Sequence, residues 1–190
     1  MGVPRPWSPP PTGPVARRRA VNLANGSTLA GLWLARRAGV PVTPGPHGLW
    51  LARGYPRHFP APAAGAVCVG DVVLLRRGWS GLEGVDVRDA ERRLLDHEAY
   101  HAWQWARWGG LPGFLTLYLL AGLWSLLRTG DAHSANYFEV RAGLEDGGYR
   151  RSPVRPARAT AVAALGRVTV LLRRAPSGRI RAGSPPPPRR

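Results

Sequence analysis

Between Asp86 and Gly110 the sequence reads DVRDAERRLLDHEAYHAWQWARWGG. Either Asp86 or Asp89 can cap the start of a helix, and the pair Gly109 and Gly110 can end one after Trp108. Inside it, His97 and His101 are four residues apart. That spacing puts both imidazoles on one face with Cβ atoms roughly 5–6 Å apart. Two rings so placed can reach one tetrahedral ion, for which zinc–nitrogen bonds are about 2.0–2.1 Å. Glu98 projects about 100° further round the helix, where its carboxylate can hold a water instead of the ion. The expectation is two metal ligands, His97 and His101, and one general base, Glu98.

A catalytic zinc needs a third protein ligand and an open position. The candidates lie in HSANYFEVRAGLEDGGY, a region expected to hold a third helix from Asn136 to Leu144 that stops at Gly147 and Gly148. Glu139 ranks first, because Ala142 on its face permits close packing against the His97 helix. His133 ranks second, as a ligand or as a transition-state donor. Tyr137, Tyr149 and Arg141 are further candidate donors.

The rest of the chain narrows the fold. Ala66–Val69 and Val72–Leu75 are β-prone runs separated by Gly70 and Asp71, which predicts a hairpin. The hexapeptide GLWLAR occurs at Gly31–Arg36 and again at Gly48–Arg53, and is expected to form two similar short strands or turns. Proline is concentrated before Val15 and again at Pro185–Pro188. Residues 1–20 and 175–190 are therefore expected to be disordered around one domain over 21–174. Within it, 157–172 reads as alanine-rich helix and then strand. The fold class expected is α+β: a hairpin, the His97 helix, an apolar helix and a third helix carrying the distal glutamate.

Charge and cysteine content exclude some functions. The net charge is +16, with 27 arginines and no lysine. Such bias, with abundant alanine, glycine and proline, is also what a GC-rich genome produces, so it argues only weakly for nucleic acid or anionic lipid as partner. No zinc-finger spacing or aromatic RNA-binding motif is present, and specific nucleic-acid recognition is not expected. Cys68 is the single cysteine, which excludes an internal disulfide framework and a cysteine-rich zinc cage. The first residues lack a clean apolar run, and a cytoplasmic location is expected.

The stretch from VCVGDVVLLRR through DHEAYHAWQW and GFLTLYLL to NYFEVRAGLEDGGY resembles a bacterial family of zinc metallopeptidase-like domains, and more broadly the gluzincins. In that family a Gly-Asp hairpin precedes a helix of the form HExxHxxQ, then an apolar helix, then an N-x-x-E-x-x-A element. The resemblance covers roughly residues 64–149. It implies a minimal zincin-like fold, zinc held by His97, His101 and Glu139, Glu98 as base, and a peptide or protein substrate. Gln104 is the glutamine of the pattern. Ala99 and Tyr100 depart from it, since the family commonly has an aliphatic residue after the glutamate.

From Trp108 to Leu127 no residue is charged, and Arg107 and Arg128 frame the run. Its length just matches a hydrocarbon core of about 30 Å. A crossing would separate His101 from Glu139, however, so a buried helix over Phe114–Leu127 is expected, with peripheral membrane contact through 111–127 as the alternative. Three function classes follow: a zinc-dependent hydrolase, a membrane-associated and catalytically silent zinc protein, and a weak, sequence-blind nucleic-acid binder. By analogy, strand Val72–Leu75 could take a peptide by edge pairing.

Overall fold

The computed structural model describes residues 12–56, 65–78 and 86–155. Among them the chain forms a mixed α+β fold with five α-helices and a four-stranded sheet. Helices α1 (Thr12–Ala24) and α2 (Ser27–Arg37) come first, then strands β1 (Val42–Pro44) and β2 (Trp50–Tyr55). The hairpin β3 (Ala66–Val69) and β4 (Val72–Arg76) follows, then the long helix α3 (Val87–Arg107). A π-helical turn at Leu111–Leu115 leads into α4 (Thr116–Thr129), and α5 (Tyr137–Ala142) closes the order.

The sheet order is β1-β2-β4-β3, with β4 parallel to β2 and antiparallel to β3. The run VVLL of β4 is buried throughout because the sheet is covered on both faces. Val73 and Leu75 pack with Leu94, Ala99 and Ala102 of α3, whereas Val72 and Leu74 pack with Ala35 of α2. The hairpin therefore forms as expected, with Val69 opposite Val72 and Gly70 at φ 64°. A side chain at Gly70 would collide with the backbone of Ser27 and Thr28, so the turn is pressed against the start of α2.

Helix α3 also matches expectation. Asp86 caps it by accepting from the Arg88 N–H, and Gly109 and Gly110 follow it at positive φ. Four other expectations are corrected. Residues 12–20 are not disordered: they belong to α1, whose Arg18 is buried and donates to Asp71 in the hairpin turn at 2.8 Å. An ion pair in the core overrides the proline-rich composition. The two GLWLAR copies do not match, since the first lies in α2 and the second runs into β2. Helix α5 ends at Gly143, in the left-handed region, ahead of Gly147 and Gly148. Finally, the apolar segment is not buried. Leu111–Thr129 is long and apolar enough to cross a membrane, but Leu119, Leu120 and Trp124 are 61%, 57% and 57% exposed. The reading of 157–172 and the tail 175–190 lie outside the described residues.

Candidate metal centre

Helix α3 brings His97 and His101 to one face, and α5 brings Glu139 against them. Asn136 positions that short helix by accepting from the Phe138 N–H as its cap and donating to the Tyr118 carbonyl of α4. The three side chains are buried, with exposures of 3%, 7% and 1%. Their donor atoms form a triangle: 3.0 Å between the two Nε2 atoms, 3.3 Å from His97 Nε2 to Glu139 Oε2 and 3.6 Å from His101 Nε2 to the same oxygen. Ligands about 2.05 Å from a tetrahedral ion stand about 3.3 Å from one another. His97, His101 and Glu139 can therefore hold a metal ion.

The hydrogen bonds around the triangle support this assignment. His97 Nδ1 lies 3.0 Å from the Gly143 carbonyl and His101 Nδ1 lies 2.7 Å from Gln104 Oε1. Gln104 in turn donates its amide to the Phe138 carbonyl at 3.0 Å, which leaves Oε1 as the atom facing His101. Both imidazoles thus donate through Nδ1, and both Nε2 lone pairs aim at one point, the arrangement that outer partners impose on metal-bound histidines. Two converging lone pairs and a carboxylate oxygen without a hydrogen-bond partner, Glu139 Oε2, are costly in a buried site unless a cation takes them up. A glycine at 147 completes the cradle, because a Cβ there would fall 2.6 Å from His97 Cε1.

Charges within the cluster are strongly coupled. Burial works to lower the His101 pKa, yet Glu139, Glu98 and the bond to Gln104 together raise it to about 9. Burial works to raise that of Glu139, but the charge on His101 beside it holds the carboxyl far below the usual carboxylate range. A metal ion would supply the positive charge that otherwise falls to a proton here.

Glu98 is 3% exposed and shares an apolar cleft of about 320 Å³ with the triad. Its carboxyl is raised, first by burial and further by Glu139, against the lowering effect of the two histidines and of a bond from the Cys68 backbone. Its Oε2 has no partner. His133 is outside the ligand triangle, with Nδ1 3.8 Å from Glu139 Oε1 and its ring stacked on Tyr149 at 4.0 Å. Tyr149 lines the cleft. Tyr137 does not come to the site: it is 54% exposed, packs against the Arg141 guanidinium and lines a different cavity.

Sequence reasoning missed Tyr118, whose hydroxyl donates to Glu139 Oε1. A tyrosine in a leucine-rich helix usually finds a partner for its hydroxyl when buried, and that was the available signal. The edge-pairing idea is also corrected. Strand β4 is interior, between β2 and β3, so it has no free edge. At β3, which is an edge, the Cys68 N–H bonds to Glu98 and the Cys68 carbonyl accepts from the Trp105 indole at 2.9 Å.

No family model, no curated protein and no solved structure matches this chain.

Proposed function

We propose that the protein is a zinc-dependent hydrolase acting on peptide bonds, with a zincin-like arrangement of the His97 helix against the sheet. The observation that carries this reading is the triangle of two Nε2 atoms and Glu139 Oε2 with Glu98 beside it in one cleft. Two imidazoles and one carboxylate are a zinc donor set, and three protein ligands leave one tetrahedral position open. Calcium and magnesium prefer oxygen ligands and fit this set poorly.

When bound, zinc supplies a Lewis acid that polarises a carbonyl and lowers the pKa of water from 15.7 toward about 7. The remaining roles fall to the chain. Glu98, with its pKa raised toward the working range, accepts the proton of the attacking water and returns it to the departing amine. Tyr118 holds Glu139 from the side away from the histidines, and Gln104 orients His101. As candidate donors to a developing oxyanion, Tyr149 lines the cleft and His133 stacks on Tyr149 beside Glu139.

The test uses wild type, His101→Ala and Glu98→Gln incubated with a mixture of unstructured peptides, with new amino termini read by mass spectrometry. Wild type is expected to carry about one zinc per chain and to cleave. His101→Ala should lose the metal. Glu98→Gln should keep it and lose cleavage by a factor of about a hundred or more. Purified wild type with no bound zinc at neutral pH rejects the reading, and zinc without cleavage in wild type leaves a metal-binding protein only.

A further inference from the structure

Helix α4 is turned inside out relative to an ordinary surface helix. Its body-facing stripe is polar: Tyr118 bonds to Glu139, Ser125 donates to the Asp131 carbonyl at 2.7 Å and accepts from the Ala135 N–H, and Thr129 bonds to the same carbonyl. Its outer arc holds Leu119, Leu120, Leu123 and Trp124, each more than half exposed. On α2, Leu29 and Trp33 are one turn apart and 55% and 59% exposed. Both elements border the metal cleft, which Trp33 lines from α2 and Tyr118 from α4. Trp33 and Leu115 line the same cleft, and a Cβ on Gly110 would meet Asn25 of the α1–α2 turn. An apolar belt of this breadth marks a contact surface.

Charge identifies what covers it. The first acidic residue in the chain is Asp71, and none lies between Glu98 and Asp131. The elements carrying the belt, α2 and α4, hold Arg36, Arg37 and Arg128 and no carboxylate. Arg36 and Arg37, three and four residues after Trp33, are exposed. A second copy of this chain would bring arginine against arginine. An anionic lipid surface offers apolar depth for the leucines, an interfacial zone for Trp33 and Trp124, and negative headgroups for the arginines.

We propose that the α2–α4 face docks on an anionic bilayer, with α4 lying in the interface rather than crossing it. The Tyr118 hydroxyl donates to Glu139, the Asn136 amide donates to the Tyr118 carbonyl and the Ala135 N–H donates to Ser125, which ties the helix to the segment carrying α5, and a crossing would break these bonds. Docking places the mouth of the metal cleft, between Trp33 and Leu115, at the headgroup level. Docking does not depend on hydrolysis.

The test is flotation of the full chain with vesicles of phosphatidylcholine alone and with about a third phosphatidylserine, at low and high salt. Wild type should float with the anionic vesicles, and more so at low salt. The double variant Leu120→Glu, Trp124→Glu should lose at least about tenfold in bound fraction while keeping its metal and its circular dichroism. Retained metal separates this outcome from failure of the zinc site. Wild type that stays at the bottom at low salt overturns the proposal, as does a double variant that floats like wild type. A wild-type dimer that the double variant splits, with no effect of lipid on either, assigns the belt to a second copy and also overturns it.

Discussion

Arg18 and Asp71 are 1% exposed, as deeply buried as Glu139 and more so than His97 and His101. The two clusters are built differently. Around Asp71, Arg18 Nε donates to Oδ1 at 2.8 Å, the Thr28 hydroxyl donates to Oδ2 at 3.0 Å, and Arg18 reaches on to the His47 carbonyl. Positive and negative charge cancel inside the cluster, and the Arg18 nitrogen left without a bond belongs to a guanidinium 5.5 Å from the Trp103 ring centre. Around Glu139 the acceptors outnumber the donors, and three of them converge on one point. Burial alone therefore does not mark a functional site. What marks one is a buried polar cluster whose charges and lone pairs are left for something from outside the chain.

The largest effect expected from this contrast is on stability, in the closed cluster. Asp71→Ala leaves Arg18 buried and uncompensated, which costs about 3–5 kcal/mol. For a chain of this size that lowers Tm by about 10 °C. The loss should be the same with zinc or with chelator, because the pair does not touch the metal centre. A Tm change of less than about 2 °C breaks the comparison by showing that the ion pair is dispensable.

The open cluster should respond in the other variable. Gln104→Ala removes the acceptor that fixes the His101 tautomer and the donor to the Phe138 carbonyl. Loss of such an outer partner costs about 10–100-fold in metal affinity. Without metal the variant should lose only about 1 kcal/mol, the worth of a hydrogen bond. Zinc titration of both proteins measures the first quantity and chelator-treated melting the second. Unchanged affinity would mean that the Gln104 contact orients nothing.

This difference also explains what was legible in the sequence. His97, Glu98 and His101 lie on one helical turn, so their relation follows from 3.6 residues per turn with no knowledge of the fold. Glu139 was reachable because Asn136 and Ala142, three residues either side, share its helix face, and the small Ala142 permits close packing there. The hairpin followed from Gly70 and Asp71 for the same local reason. Partners set by tertiary packing were not legible. GLWLAR is helical at Gly31–Arg36, where Gly31 lets α2 close on the Val69 carbonyl, and extended after Gly48, where Trp50–Arg53 pairs with Val72–Leu75. Identical letters carry no information about which neighbour waits. Arg18 was hidden likewise, since a basic residue in a proline-rich end reads as solvated until Asp71 is seen opposite it. The outward leucines of α4 were misread because hydrophobicity alone does not say whether protein or something else covers a face.

The smallest effect separates two tyrosines. Tyr137, two residues before Glu139 in sequence, points away from the cleft because residues two apart on a helix diverge by about 200°. Tyr118 lies 21 residues from Glu139 and bonds to it directly. Tyr118→Phe removes one donor from a buried carboxylate and should weaken zinc binding by about threefold to tenfold, roughly 1 kcal/mol. Tyr137→Phe should leave zinc affinity, melting and any cleavage within about 0.5 kcal/mol of wild type. Measured side by side, the pair sharpens the contrast. If Tyr137→Phe is the more damaging, the Tyr137 hydroxyl reaches the cleft during turnover, and the site extends beyond the residues that line it at rest.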